Sequence, residues 1–132
     1  MKVEQPDGDV ADRIAILRLK VDRIADPERR GLAGAELANL EDAWKGSGHP
    51  PLESLAEFAA LSDVNGRLWD VEDELRSLID ARDTGPAFVA AALRVPELNQ
   101  ERARHKRSLS VRLGSRFVEV KSYGKAPARS SG

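Results

Sequence analysis

The chain has 132 residues, 33% of them charged and 41% apolar, with 21 Lys/Arg against 22 Asp/Glu and no cysteine. That length fits one domain with its own core, and the lack of cysteine excludes disulfides and thiolate metal ligands. His49 and His105 lie far apart, no window approaches the roughly 18 apolar residues of a membrane helix, and the first residues lack the apolar run of a signal peptide. These features imply a soluble cytoplasmic protein with no cofactor and no metal.

The abundance of Ala, Leu, Arg, Asp and Glu favours helices. Helix 1 is expected to start after Asp7 or Asp9 as N-cap and to run to about Ala25, because Val10, Ile14, Leu17, Val21 and Ile24 recur at alternating spacings of four and three. Ile16 and Leu19 lie on its opposite side. A helix with two apolar sides needs cover on both, which places helix 1 near the middle of the assembly.

The segment "DPER" begins helix 2, with Asp26 as cap and Pro27 at the first helical position, where its missing N–H costs nothing. Ala33, Leu37, Leu40 and Trp44 form its inner stripe. Gly31 and Gly34 weaken the early turns by up to about 1 kcal/mol each relative to Ala, which implies fraying or close packing there. "GSGHPP" is a loop. Helix 3 is expected from Pro51 to Arg82 through Leu61, Val64, Leu68, Val71, Leu75 and Leu78, ending before the "DTG" turn.

Helix 4 opens at Pro86 and runs to about Leu113, kinked or split at Pro96, which removes one ladder hydrogen bond. Gly114 is a C-cap, and "SRFVEVKSY" has the composition of a short extended segment. The expected architecture is an all-α antiparallel four-helix bundle with long third and fourth helices. Residues 1–124 make a single helical domain, and residues 125–132 a disordered tail.

Four carboxylates crowd the stretch "NGRLWDVEDELR". With Val64 as zero and about 100° per residue, Asp70 lies at about 240°, Asp73 at about 180° and Glu74 at about 280°, all facing solvent. All-α nucleotide pyrophosphohydrolases set metal-binding acids four apart on an inner face. Here Asp70 and Glu74 point outward, so a two-metal site is not expected. Glu72 at about 80°, Asn65 at about 100°, Arg76 at about 120° and Trp69 at about 140° border the buried face.

Helix 4 is less usual. With Val95 as zero, its apolar face holds Phe88, Ala92, Leu109 and Leu113, but Asn99 at about 40°, Arg102 at about 340° and Lys106 at about 20° interrupt it. An unpaired buried charge costs several kcal/mol, so these cations must be paired, reach solvent or line a wet pocket. Glu72, Asp12 and Asp22 are the candidate partners.

Two arrangements satisfy this. One is a closed polar network that fixes the register of the bundle. The other is a pocket in which Lys20, Arg76, Arg102 and Lys106 hold a small anionic ligand, with Asn65 and Asn99 orienting it, Trp69 as a wall and Glu72 as acid/base. A groove for a partner protein is a third possibility.

Residues 1–93 carry 11 Lys/Arg against 19 Asp/Glu, and residues 94–132 carry 10 against 3. An acidic helix packed on a basic one explains the asymmetry without nucleic acid. In "RARHKR", Arg104 and Arg107 point outward and no aromatic residues alternate with the cations, so nucleic-acid binding is not expected.

"ADRIAILRLKVDRIADPER", "VNGRLWDVEDELR", "GPAFVAAALRVPELNQERARHKRSL" and "LGSRFVEVKSY" together resemble a bacterial family of small helical proteins catalogued as a domain of unknown function. The resemblance spans about Val10 to Tyr123. Its matching positions include Asp12, Lys20, Arg23, Asn65, Trp69, Asp70, Glu72, Asp73, Arg76, Asn99, Arg102, Lys106, Arg107, Glu119, Lys121 and Tyr123. The chain departs from the family pattern at Arg13, Pro96 and Val120. The resemblance implies a coherent helical domain and names no reaction. The expected function is a small cytoplasmic interaction module, with a protein partner or a homodimer through the long helices, and the alternative is an enzyme or binding protein for a small anion.

Overall fold

A computed structural model describes residues 5–114, so the extended segment and tail expected beyond Gly114 lie outside the described residues. The order is α1 (Asp7–Arg23), α2 (Pro27–Lys45), a single 3-10 turn (Leu52–Ser54), α3 (Ala56–Asp80) and α4 (Pro86–Arg112). It is an all-α bundle. No helix of the described residues is long and apolar enough to cross a membrane.

The helix ends follow local chemistry. Pro6, not an aspartate, occupies the N-cap of α1, and Asp7 and Asp9 fall in the first turn, where negative charge complements the helix dipole. α1 stops at Arg23 because Ile24 turns extended (ψ 126°) ahead of the Asp26-Pro27 pair, whose own first residue is also extended. Asp26 caps α2 by accepting from the Arg29 N–H at 2.9 Å. α2 starts at Pro27 despite its glycines, and a Cβ at Gly31 would meet nothing within 4 Å.

α3 begins later than its stripe suggests. Leu55 is extended (ψ 120°) and ends the turn Leu52–Ser54, and both Leu52 and Leu55 enter the core. Its far end closes with paired bonds from the Arg82 N–H to Ile79 O (2.9 Å) and from the Asp83 N–H to Leu78 O (2.8 Å). This is a Schellman cap, in which Arg82 takes the left-handed position usually given to glycine (φ 57°). α4 runs unbroken through Pro96, whose ring lies on the exposed face and displaces no neighbouring helix.

α1 packs against α2, α3 and α4, and α3 packs along α4. α2 thus flanks a three-helix centre. The core separates into two parts. The first joins Ala11, Ile14 and Ala15 of α1 with Trp44, Leu52, Leu55, Phe58, Leu61 and Leu109. The second contains Val64, Leu68, Val71, Ala91 and Leu98, with Leu75 and Val95 against them. Every one of these belongs to α3 or α4. We call the two ends proximal and distal.

Candidate functional site

At the proximal end, α1 and α4 run antiparallel. Arg102, Lys106 and Ser110 recur one turn apart on α4 and meet Asp12, Asp9 and Gly8 of α1 in reverse order. Asp12 is the centre, a carboxylate only 3% exposed. Its Oδ1 accepts from Asn65 Nδ2 at 2.8 Å and Arg102 Nε at 3.0 Å, and its Oδ2 accepts from Arg102 Nη2 at 2.6 Å. A buried carboxylate is tolerated only when its oxygens are met by well-aligned donors, and a forked guanidinium plus an amide meets that need. Three helices are thereby pinned through one side chain.

Next along α4, Lys106 Nζ pairs with Asp9 Oδ1 at 3.2 Å. Then the Gly8 N–H donates to the buried Ser110 Oγ at 2.7 Å. This N–H belongs to the first turn of α1 and has no partner within its own helix. The two helices touch so closely here that a Cβ on Gly8 would lie 1.9 Å from the Lys106 carbonyl oxygen. The Asp12 carboxylate holds the Arg102 guanidinium more basic than usual, against the opposing effect of burial, with weaker help from Asp9 and Glu72.

A cavity of about 240 Å³ opens beside this row, lined by Gln5, Asp9, Asp12, Arg13, Ile16, Leu17, Lys20, Arg102 and Lys106. Its cations are largely matched within the molecule: Arg102 by Asp12, Lys106 by Asp9, and Arg13 by Glu36. Lys20, exposed at its edge, makes no ion pair among the described residues. A second cavity of about 470 Å³ lies where α2 meets the following loop, lined in part by Arg18, Trp44, Lys45, His49 and Glu53. Arg18 there is held by Glu41 at 2.8 Å and Glu53 at 2.9 Å. Trp44 Nε1–H donates to Pro50 O at 2.9 Å, which fixes the loop.

The residues singled out from the sequence do not form one site. Arg102, Lys106 and Lys20 share the α1–α4 cavity, and Asn65 is buried against the same Asp12. Glu72, Arg76 and Asn99 are exposed, away from that lining. Arg76 pairs with Asp73 on its own helix. The partner of Arg102 is Asp12 on α1 and not Glu72 on α3. Trp69 lies half-buried under the Arg23 guanidinium, 5.8 Å from its ring centre, and Arg23 also bonds Asp70 at 2.9 Å.

Asp9, Gly8 and Ser110 did not stand out in the sequence. The complementary spacing of Asp9 and Asp12 against Arg102 and Lys106 was the signal that would have found the first of them. Among the described residues no three His, Cys, Asp or Glu side chains gather where they could hold a metal ion. Compared with protein-family models, with curated proteins and with solved structures, the chain gives no match.

Proposed function

We propose that the chain is a small cytoplasmic helical interaction module that works through the distal half of its α3–α4 hairpin. One observation carries this reading. Ile79, Val89 and Leu93 are 56%, 52% and 63% exposed, on a pair of helices whose shared core has no member from α1 or α2. Leu75, Leu78, Phe88 and Val95 of the same two helices are only half-buried. Val89 and Leu93, one turn apart on the side of α4 turned away from α3, form an exposed apolar pair, and exposed apolar side chains that lie together mark a binding face, whereas scattered ones are ordinary. The resemblance to a bacterial helical family is compatible with such a role.

The anion-binding alternative has weaker support. Arg102 and Lys106 already have carboxylate partners, so a ligand must compete with Asp12 and Asp9 for them. Glu72, the candidate acid/base, is exposed and forms no hydrogen bond or ion pair among the described residues. The test is a photo-reactive amino acid placed at Leu93 or, as control, at the exposed Ala35 of α2. A discrete cross-linked product in cells from position 93 and none from position 35 is expected, and equal labelling at both defeats the proposal.

A further inference from the structure

We infer that the chain pairs with a second copy of itself through the outward face of α4, in an antiparallel arrangement with two-fold symmetry. This deepens the interaction-module reading and rests on it. With Val95 as zero and about 100° per residue, Ala91 and Leu98 turn to about 320° and 300°, into the core shared with α3. Arg102, Lys106 and Ser110 turn to between about 340° and 60°, where they meet α1. The side of α4 that neither helix reaches spans about 120–200°.

That side is partly apolar. Leu93 and Val111 both point along about 160° and are 63% and 58% exposed, and Val89 lies beside Leu93 at about 120°. Three of the five large apolar side chains that stand exposed among the described residues thus share one face of one helix. Glu97 at about 200° and Arg104 at about 180° flank Leu93 and Val111 on the same side of this face. Both are exposed, and neither makes an ion pair among the described residues.

The occupant follows from the spacing. A two-fold axis across an antiparallel helix pair keeps each flank against the same flank of the other copy and matches residues equally far from the axis on either side. Leu93 and Val111 are centred on position 102, and Glu97 and Arg104 between positions 100 and 101, a difference of about 2 Å along the helix. One axis at this level therefore sets each Leu93 on the other copy's Val111 and each Glu97 beside the other copy's Arg104. Gln100, exposed at about 140°, lies near the axis and faces its own counterpart.

The order apolar, acid, cation, apolar is its own complement when reversed, which an unrelated partner does not require. A parallel pair would instead run Arg104 and Arg107 alongside the same cations of the other copy, which disfavours it. One helix pair about 33 Å long covers on the order of 1,000 Å², the low end for a specific interface, so the pairing is weak and the fold of each copy does not depend on it.

The test uses the full chain. It has no cysteine, so one introduced thiol per chain can be joined only between copies. Single-cysteine variants at exposed positions are treated with a short bis-maleimide at about 0.1–1 mM protein, and the unsubstituted chain is followed by sedimentation equilibrium over the same range. A dimer is expected to form across it. Gln100→Cys should link to itself, whereas Leu93→Cys should not, because its two copies lie about 27 Å apart along the pair. Leu93→Cys mixed with Val111→Cys should give the joint product. Glu97→Arg is expected to weaken the dimer about tenfold, and Arg104→Glu added to it to restore the affinity.

A chain that stays monomeric up to about 1 mM overturns the inference. So does efficient self-linkage of Leu93→Cys, a dimer indifferent to Glu97→Arg, or failure of the double charge swap to restore it. The photo-reactive probe at Leu93 then separates the two readings. A product whose mass is not that of two chains keeps the interaction module with a different partner, and no product removes both.

Discussion

The two ends of the α3–α4 hairpin are made from the same helices and differ in what lies across them. At the proximal end a third helix is pinned by Asp12, Asp9 and Gly8, and polar groups there are paired and packed to backbone contact. At the distal end the helices meet only each other, and large apolar side chains remain open to solvent. Two helices can bury the seam between them but not the groove beside it. Polar side chains at the proximal end thus answer to stability, and the exposed apolar side chains of the distal end contribute little to the core of the described fold.

Substitutions should therefore behave in opposite ways at the two ends. The largest effect is expected from Asp12→Ala, which leaves the Arg102 guanidinium and the Asn65 amide without their acceptor. A loss of about 3 kcal/mol, read from urea melts, follows from breaking a buried pair on one side only. Replacing the pair together, Asp12→Leu with Arg102→Met, should recover much of it. If Asp12→Ala costs less than a surface substitution, Asp12 is not the pin.

Gly8→Ala comes next. Its Cβ would overlap the Lys106 carbonyl, so either the first turn of α1 lifts off or the helices separate, at about 2 kcal/mol. Thermal melts should show this, and hydrogen exchange should quicken at the start of α1 but not in the distal hairpin.

Acid should affect the hairpin through Glu101. Its carboxyl is held below the usual range mainly by the Arg67 guanidinium at 2.6 Å and further by His105. A depressed folded pKa means that the stabilisation is fully present above the unfolded value of about 4.3 and is lost as pH falls through the lower folded value. Denaturation followed from pH 6 downward should be less steep in Glu101→Gln, and an identical acid limb in the variant would remove this contribution.

The smallest effects lie at the distal end. Arg82→Gly should stabilise by about 0.5–1 kcal/mol, because glycine accepts the left-handed position of the Schellman cap without strain. Val89→Ser with Leu93→Ser should leave stability within about 0.5 kcal/mol, as expected for exposed positions. A large loss there would show that the folded chain itself needs these side chains.

Much of this was legible in the sequence. The four helices follow from apolar spacing and from proline and aspartate at their starts, and the two-sided pattern of α1 located it at the centre. Arg102 and Lys106 stood out because charge on an apolar stripe demands a partner. What spacing did not supply was the partner's address. Glu72, Arg76 and Asn65 share one angular face of α3, yet Asn65 is buried and the other two are exposed, because α1 covers that face at one level and has left it two turns further on. Rotation about a helix is periodic and can be read from residue types. The level at which another helix crosses depends on the whole assembly. The break at Leu55 was hidden for a related reason, since Leu52 and Leu55 fit a helical stripe as well as they fit a turn.

The bond from the Gly8 N–H to Ser110 Oγ joins residues separated by 102 positions. During synthesis α1 and α2 can fold back on each other early, and α3 can form soon after, but the seat for the first turn of α1 does not exist until the end of α4 has left the ribosome. The N-terminal helix must wait, with the Asp12 carboxylate still hydrated, for almost the whole described chain to be made. Folding of the centre is therefore a late step that follows the synthesis of α4, and a chain truncated before Ser110 leaves α1 without its dock.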